Sequence, residues 1–179
     1  GYKVVGAHDQ QHVIAACGTV GLEMLRQHGH AHTLLRQRSA AAAAVATPSG
    51  EAVAEVLSPP PLNRPELDAV FVSVGGGSLL AGVAVAIKSV SPQTRVIAVE
   101  PESADVLSQS LLTGHRRTDA TSLSANAEGI FVAQIGPEVF RVCDELVDEV
   151  LLVSDEQIRQ AVQDCFLDTR AVLELQGAI

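Results

Sequence analysis

Ala69-Val70-Phe71-Val72-Ser73-Val74-Gly75-Gly76-Gly77-Ser78-Leu79-Leu80-Ala81-Gly82 is the stretch on which the fold turns. Residues 69–74 form a short, mostly apolar run rich in β-branched and aromatic side chains, the composition of a buried strand. Three glycines and a serine follow, and residues 79–88 then predict a buried helix. Ser91-Pro92-Gln93 breaks that helix, and Arg95-Val96-Ile97-Ala98-Val99-Glu100 predicts a second buried strand. Strand, crossover helix and strand within about 30 residues make a βαβ unit, which requires a parallel pair joined by a right-handed connection. The fold class expected is therefore α/β, built on a parallel sheet.

Further along, a helix is predicted from Pro101 to about Leu112, then a polar loop through Gly114 and Arg117 to Glu128-Gly129. Gly136-Pro137 opens another helix, with proline suited to the first turn. Residues 147–153 predict a third strand. Ser154-Asp155-Glu156-Gln157 reads as a capping box, and the helix it starts repeats Ile158, Val162, Cys165, Phe166, Thr169 and Val172 on one face. Before the decisive stretch, residues 13–25 are helix-like, with Gly18 and Gly21 marking close packing or a kink. Residues 28–65 are low in complexity: His28-Gly29-His30-Ala31-His32, the alanine run 40–44, and Pro59-Pro60-Pro61 with Pro65. The expected organisation is a helix-rich segment over 1–27, a surface insert or linker over 28–65, and an α/β domain over 66–179.

The 179 residues carry a net charge of −9, with 47% apolar and 18% charged residues, a composition able to bury a core rather than remain a disordered acidic tail. An acidic balance lacks the clustered Lys and Arg that hold a phosphate backbone, and 3% aromatic content lacks the platforms that stack bases. The longest apolar run, residues 79–87, falls well short of the roughly 18 residues that cross a bilayer. Nucleic-acid and membrane roles are thereby excluded. Residues 1–11 carry neither the basic flank nor the apolar core of a signal peptide. Cys17, Cys143 and Cys165, three in number and without a C-x-x-C pair, read as reduced thiols packed as small apolar side chains in an intracellular compartment.

Glycines between a strand and a helix let backbone N–H groups approach a ligand without Cβ clashes, and the helix N-terminus adds unpaired donors and a positive dipole end. In open α/β sheets such ligands sit beyond the carboxyl ends of strands. Leu80 rules out both G-x-G-x-x-G and a G-x-S-x-G elbow centred on Ser78, and Gly-Lys-Ser/Thr occurs nowhere. From the local pattern, a phosphate cradle and a plain tight turn remain equally open. His8-Asp9-Gln10-Gln11-His12 has the spacing of H-E-x-x-H, but with Asp for Glu and no third ligand; these histidines and those of the 28–32 run read as surface side chains.

Residues 72–82 resemble the P-V-G-G-G-G-L-x-x-G loop of fold-type II pyridoxal-phosphate enzymes. Val96-Ile97-Ala98-Val99-Glu100-Pro101 follows at the family's distance. Ala127-Glu128-Gly129-Ile130, Ile135-Gly136, and Asp168-Thr169-Arg170-Ala171-Val172-Leu173-Glu174 with Gly177-Ala178 continue the likeness in order. Asp9 with Val13-Ile14-Ala15 and Gly18-Thr19-Val20-Gly21-Leu22-Glu23 resembles the family's F-D-D-P-x-V-I-A-G-Q-G-T segment. In texture the chain is closest to the threonine and serine dehydratases and serine racemase.

The resemblance implies that Gly75, Gly76, Gly77, Ser78 and Leu79 hold the phosphate of pyridoxal 5'-phosphate through main-chain N–H groups. Ser78 replaces the family's fourth glycine, where a Cβ either fits or drives the loop from a positive-φ geometry. Glu100 and the carbonyl of Ala104 match two ligands of a divalent-cation site in serine racemase, with Val106 where the third acid would stand; by itself Glu100 reads more readily as a solvated acid at a strand end than as a metal ligand. Glu174 matches an acid near the cofactor ring, but Leu175 and Gln176 depart from its motif. The family's chemistry needs a Schiff-base lysine in an S-F-K motif. Lys3 has no such context, and Lys88 closes a helix, where it reads as a solvated, dipole-complementing side chain about 15 Å from the glycines. No catalytic residue is therefore assigned. The expected whole is the cofactor-loop half of a threonine or serine ammonia-lyase, or of a racemase-like or inactive relative. It would act on an amino acid, form a homo-oligomer when complete, and reside in cytoplasm or plastid.

Overall fold

The computed structural model describes residues 9–46, 67–117 and 134–179, and side chains of the first segment up to residue 29. Helix α1 spans Gln11–Ala46, strand β1 Ala69–Ser73, helix α2 Ser78–Val90 and strand β2 Arg95–Pro101. A 3₁₀ turn, Glu102–Ala104, leads into α3 (Val106–Thr113); α4 (Pro137–Leu146), β3 (Glu149–Val153) and α5 (Asp155–Thr169) follow, and a 3₁₀ turn Leu175–Ala178 lies near the end.

The three strands are parallel in the order β1-β2-β3. Ser73 lies beside Val99 on β2, and Val99 beside Leu151 on β3. The expected βαβ unit is thus present, with α2 as its crossover. Val70, Val72, Val96 and Ala98 pack from one face of the sheet into a core shared with Leu80, Val83 and Ile87 of α2 and Val139, Val142 and Cys143 of α4. Burial of these aliphatic groups is the main stabilising term, about 25 cal/mol per Å² of apolar surface.

Helix α1 lies against α2 because both helices put glycine at the contact. A Cβ on Gly82 would lie 2.6 Å from the Gly18 nitrogen and 2.8 Å from Cys17 Cβ, and one on Gly21 would lie 3.2 Å from Ala86 Cβ. Of the two expectations for those glycines, close packing is the one realised.

Several elements depart from expectation. Helix α1 runs without a break to Ala46, so residues 28–46 continue a helix rather than form a loop; after Gly29 no glycine or proline interrupts them, and alanine is the strongest helix former. Residues 47–66, with the triple proline, lie outside the described residues, as does Ala127-Glu128-Gly129-Ile130. The periodic face of α5 is only partly buried: Ile158 is buried and Val162 and Cys165 half-buried, whereas Phe166 is half-exposed and Val172 lies beyond the helix in the open. Its capping box is formed as expected, the Ser154 side chain accepting from the Gln157 amide and the Gln157 side chain accepting from the Ser154 amide. The three cysteines are free; Cys143 is buried, while Cys17 and Cys165 are only partly so. Among the described residues no helix is long and apolar enough to cross a membrane.

Candidate functional site

The glycine loop stands at the carboxyl end of β1. Val74 N–H donates to Val99 O at 2.9 Å, the last ladder bond before the glycines. Helix α2 then makes its first internal bond from Ala81 N–H to Gly77 O, also at 2.9 Å. The amides of Ser78, Leu79 and Leu80 in the first turn have no intrahelical partner, and they point out of the positive end of the helix dipole.

Gly77 is the N-cap of α2 and adopts φ +80°, a left-handed conformation that costs an L side chain about 1–2 kcal/mol. The space behind it is already taken: a Cβ on Gly77 would lie 2.5 Å from Val139 Cγ1 and 3.8 Å from Ile135 Cδ1. Gly75 differs, since a Cβ there would meet nothing within 4 Å. One glycine is thus demanded by backbone and packing, and another borders open space. Ser78, the substituted fourth glycine, is buried at the first helical position; Arg170 is the one described non-glycine residue with positive φ, so the serine Cβ is accommodated without strain. Apolar walls behind the loop and unpaired amides at its mouth suit an oxyanion such as a phosphate.

Glu100 is the penultimate residue of β2, at the same carboxyl end of the sheet and level with Val74 when the β1–β2 register is continued one step. It is buried, 1% exposed, and not the solvated acid of the alternative reading. Its two carboxylate oxygens accept from Leu107 N–H (2.9 Å) and Ser108 N–H (2.8 Å), the first turn of α3. Burial pushes its carboxyl up to about 7 despite these two bonds. Ala104 closes the 3₁₀ turn just beyond. Among the described residues no group of three or more His, Cys, Asp or Glu side chains is arranged to hold a metal ion.

Lys88 sits at the other end of α2, as expected, but it is largely enclosed rather than solvated. Its Nζ donates to Thr94 O at 2.9 Å and pairs with Asp148 at 2.7 Å. Asp148 also accepts from Val96 N–H at 2.6 Å. Burial raises the Asp148 carboxyl, but the bonds from Lys88 and Val96 outweigh it and hold the group below the usual aspartate range. This lysine is a clasp between α2 and the sheet. Glu174 is exposed, immediately before the last 3₁₀ turn. Lys3 and His8 lie outside the described residues.

Sequence reasoning placed Asp9 in a family-like segment but gave it no role behind the loop. Asp9 Oδ1 accepts from Glu138 N–H (2.9 Å) and Val139 N–H (3.0 Å), capping α4 from a distant part of the chain. The available signal is that the N-cap of α4 is glycine, which has no side chain to satisfy those amides.

The chain matches the family described as pyridoxal-phosphate dependent enzyme over residues 1–179. It is 37% identical over 179 residues to the L-threonine dehydratase biosynthetic IlvA of Salmonella typhimurium, covering 100% of this chain and 28% of that protein. Among solved structures, the processed form of threonine deaminase isoform 2 from Solanum lycopersicum superposes with a TM-score of 0.75 at 32% identity, over 100% of this chain and 41% of that one. Maize serine racemase superposes with a TM-score of 0.73 at 28% identity, over 98% and 43%. The chain thus spans less than a third of the length of the curated relative.

Proposed function

From the premise that the chain belongs to the pyridoxal-phosphate dependent enzyme family, we propose that residues 75–79 cradle the cofactor phosphate of a threonine ammonia-lyase. The observation that carries this is the loop itself: glycines at the carboxyl end of a parallel strand, one of them forced to φ +80°, opening a helix whose first amides have no internal partner. The fit to the cofactor rests on amide donors and on the open space beside Gly75, which a side chain would fill. Bound there, pyridoxal phosphate supplies the electron sink that labilises bonds at the amino-acid α-carbon.

What this chain contributes is grip and orientation. The amides of Gly75, Gly76, Gly77, Ser78 and Leu79 bind the phosphate oxyanion, the dipole of α2 adds to that attraction, and the Val139–Ile135 wall keeps water from the rear of the loop. The lysine that the chemistry requires is not Lys88, which is committed to Asp148 and Thr94; it is assigned outside the described residues. The reaction proposed for the complete protein is conversion of L-threonine to 2-oxobutanoate and ammonia, supported by the names of relatives 37% identical over all 179 residues. A homo-oligomer is part of the same reading.

The full-length protein, supplied with pyridoxal phosphate and L-threonine, is expected to release 2-oxobutanoate, and Gly77→Val to abolish both cofactor retention and turnover. Serine epimerisation without 2-oxobutanoate would replace this reading with a racemase. Turnover undiminished by Gly77→Val would remove the loop from the mechanism.

A further inference from the structure

Helix α4 begins without a cap of its own. Its N-cap is Gly136 and its first residue is Pro137, which has no N–H, so the amides of Glu138 and Val139 are the first that need an acceptor. One oxygen of Asp9 serves both, at 2.9 and 3.0 Å. The approach is close enough that a Cβ on Gly136 would fall onto the Asp9 side chain. Gly136 has φ −67°, open to any residue, so glycine is required there for space and not for conformation.

The same turn of α4 is the wall of the phosphate loop. Val139, whose amide Asp9 holds, is fully buried and places Cγ1 only 2.5 Å from where a Gly77 Cβ would be. Ile135, just before the cap, is also fully buried and faces Gly77; its carbonyl accepts from Arg116 at 3.0 Å. A rigid contact therefore runs from the Asp9 carboxylate through the α4 amides and Val139 to the left-handed glycine that opens α2. Close-packed interiors transmit such displacements instead of absorbing them.

We propose that Asp9 is a positioning residue for the phosphate cradle, fixing the first turn of α4 so that Val139 and Ile135 hold Gly77, and with it the loop amides, in phosphate-binding register. This rests on the reading of residues 75–79 as the cofactor cradle. Asp9 touches neither cofactor nor substrate in this assignment; it acts on phosphate recognition through α4.

The test compares affinities of the full-length protein for pyridoxal 5'-phosphate and for pyridoxal, which lacks the phosphate. Their ratio isolates the grip on the phosphate, and inorganic phosphate as a competitor provides a second measure. Asp9→Ala is expected to lower the ratio about tenfold, the size of a lost helix cap carried into binding. Asp9→Asn, which keeps an acceptor oxygen, should recover most of it, and Gly136→Ala, which pushes Asp9 away, should reproduce the loss. Asp148→Ala cuts the Lys88 clasp at the far end of α2 and controls for general destabilisation; it should lower the melting temperature and leave the ratio alone.

If Asp9→Ala fails to fold, Gly136→Ala and Val139→Ala carry the comparison at the other two points of the relay. A wild-type ratio well above one that Asp9→Ala and Gly136→Ala leave unchanged would overturn the role of Asp9 while sparing the cradle. Equal loss in Asp148→Ala would reduce it to ordinary stability. A wild-type ratio near one would overturn the cradle and this inference together.

Discussion

Gly77 is constrained twice, and the two constraints add. Alanine there has to adopt φ +80° and also displace Val139 from a contact of 2.5 Å. The left-handed cost and the overpacking cost together amount to about 2–5 kcal/mol, so Gly77→Ala should lower the urea midpoint of unfolding clearly, whereas Gly75→Ala, facing open space, should not. Equal midpoints for the two variants would contradict this account. Glu100 makes a prediction of a different kind. Burial lifts its carboxyl from the ordinary 4.5 to about 7, so the folded protein prefers the protonated form. The associated stabilisation is complete below about pH 4.5 and is lost as pH rises through about 7, on the order of 3 kcal/mol over that window. Glu100→Gln keeps one acceptor oxygen but turns an N–H toward an α3 amide. It should be less stable at pH 5 and lack that fall, as urea titrations from pH 5 to pH 8 would reveal; a parallel fall in the variant would assign it to another group.

At the scale of elements, the α1–α2 contact is made of backbone on both sides. A Cβ on Gly82 would press on the carbonyl of Ile14 and lie 2.6 Å from the Gly18 nitrogen, atoms that move only if a helix moves. Gly82→Ala should therefore cost about 1–3 kcal/mol in chemical denaturation, despite alanine's better helix propensity. A stabilised variant would mean that the helices separate freely. The strands, the crossover helix and the Ser154 capping box were legible in the sequence because each is written in consecutive residues: an apolar run, a glycine punctuation, an S-x-x-Q pattern. The candidate loop was legible for the same reason. The Asp9 cap was not, since its partners lie 129 and 130 residues away and only the folded chain brings them together. The burial of Glu100 escaped local reading too, because the α3 amides that hold it become its neighbours only after the 3₁₀ turn. The extension of α1 to Ala46 shows the opposite error, a compositional bias taken for a loop where alanine propensity carries the helix on.

For the molecule as a whole, the two faces of the sheet are unequal. Val70 and Val72 of β1 enter the core, while Phe71 between them points to the other face and is 61% exposed. Phe166 and Leu167 of α5 are about half-exposed, and among the described residues β1 and β3 each have one strand neighbour. An exposed phenylalanine on an edge strand is an invitation to association, because apolar surface leaving water gains about 25 cal/mol per Å² and an open edge offers unpaired backbone groups. A polypeptide of residues 1–179 produced alone should therefore self-associate in the micromolar range and bind a hydrophobic dye. Phe71→Lys should reduce both effects, since it removes the apolar patch and adds the kind of charge that protects edge strands, without touching the Val70–Val72 side of the sheet. Sedimentation velocity, with far-ultraviolet circular dichroism to confirm unchanged secondary structure, separates the outcomes. A wild-type chain that stays monomeric, or a Phe71→Lys chain that associates equally, would show that this face does not drive contact and would shift attention to the exposed apolar residues of α5.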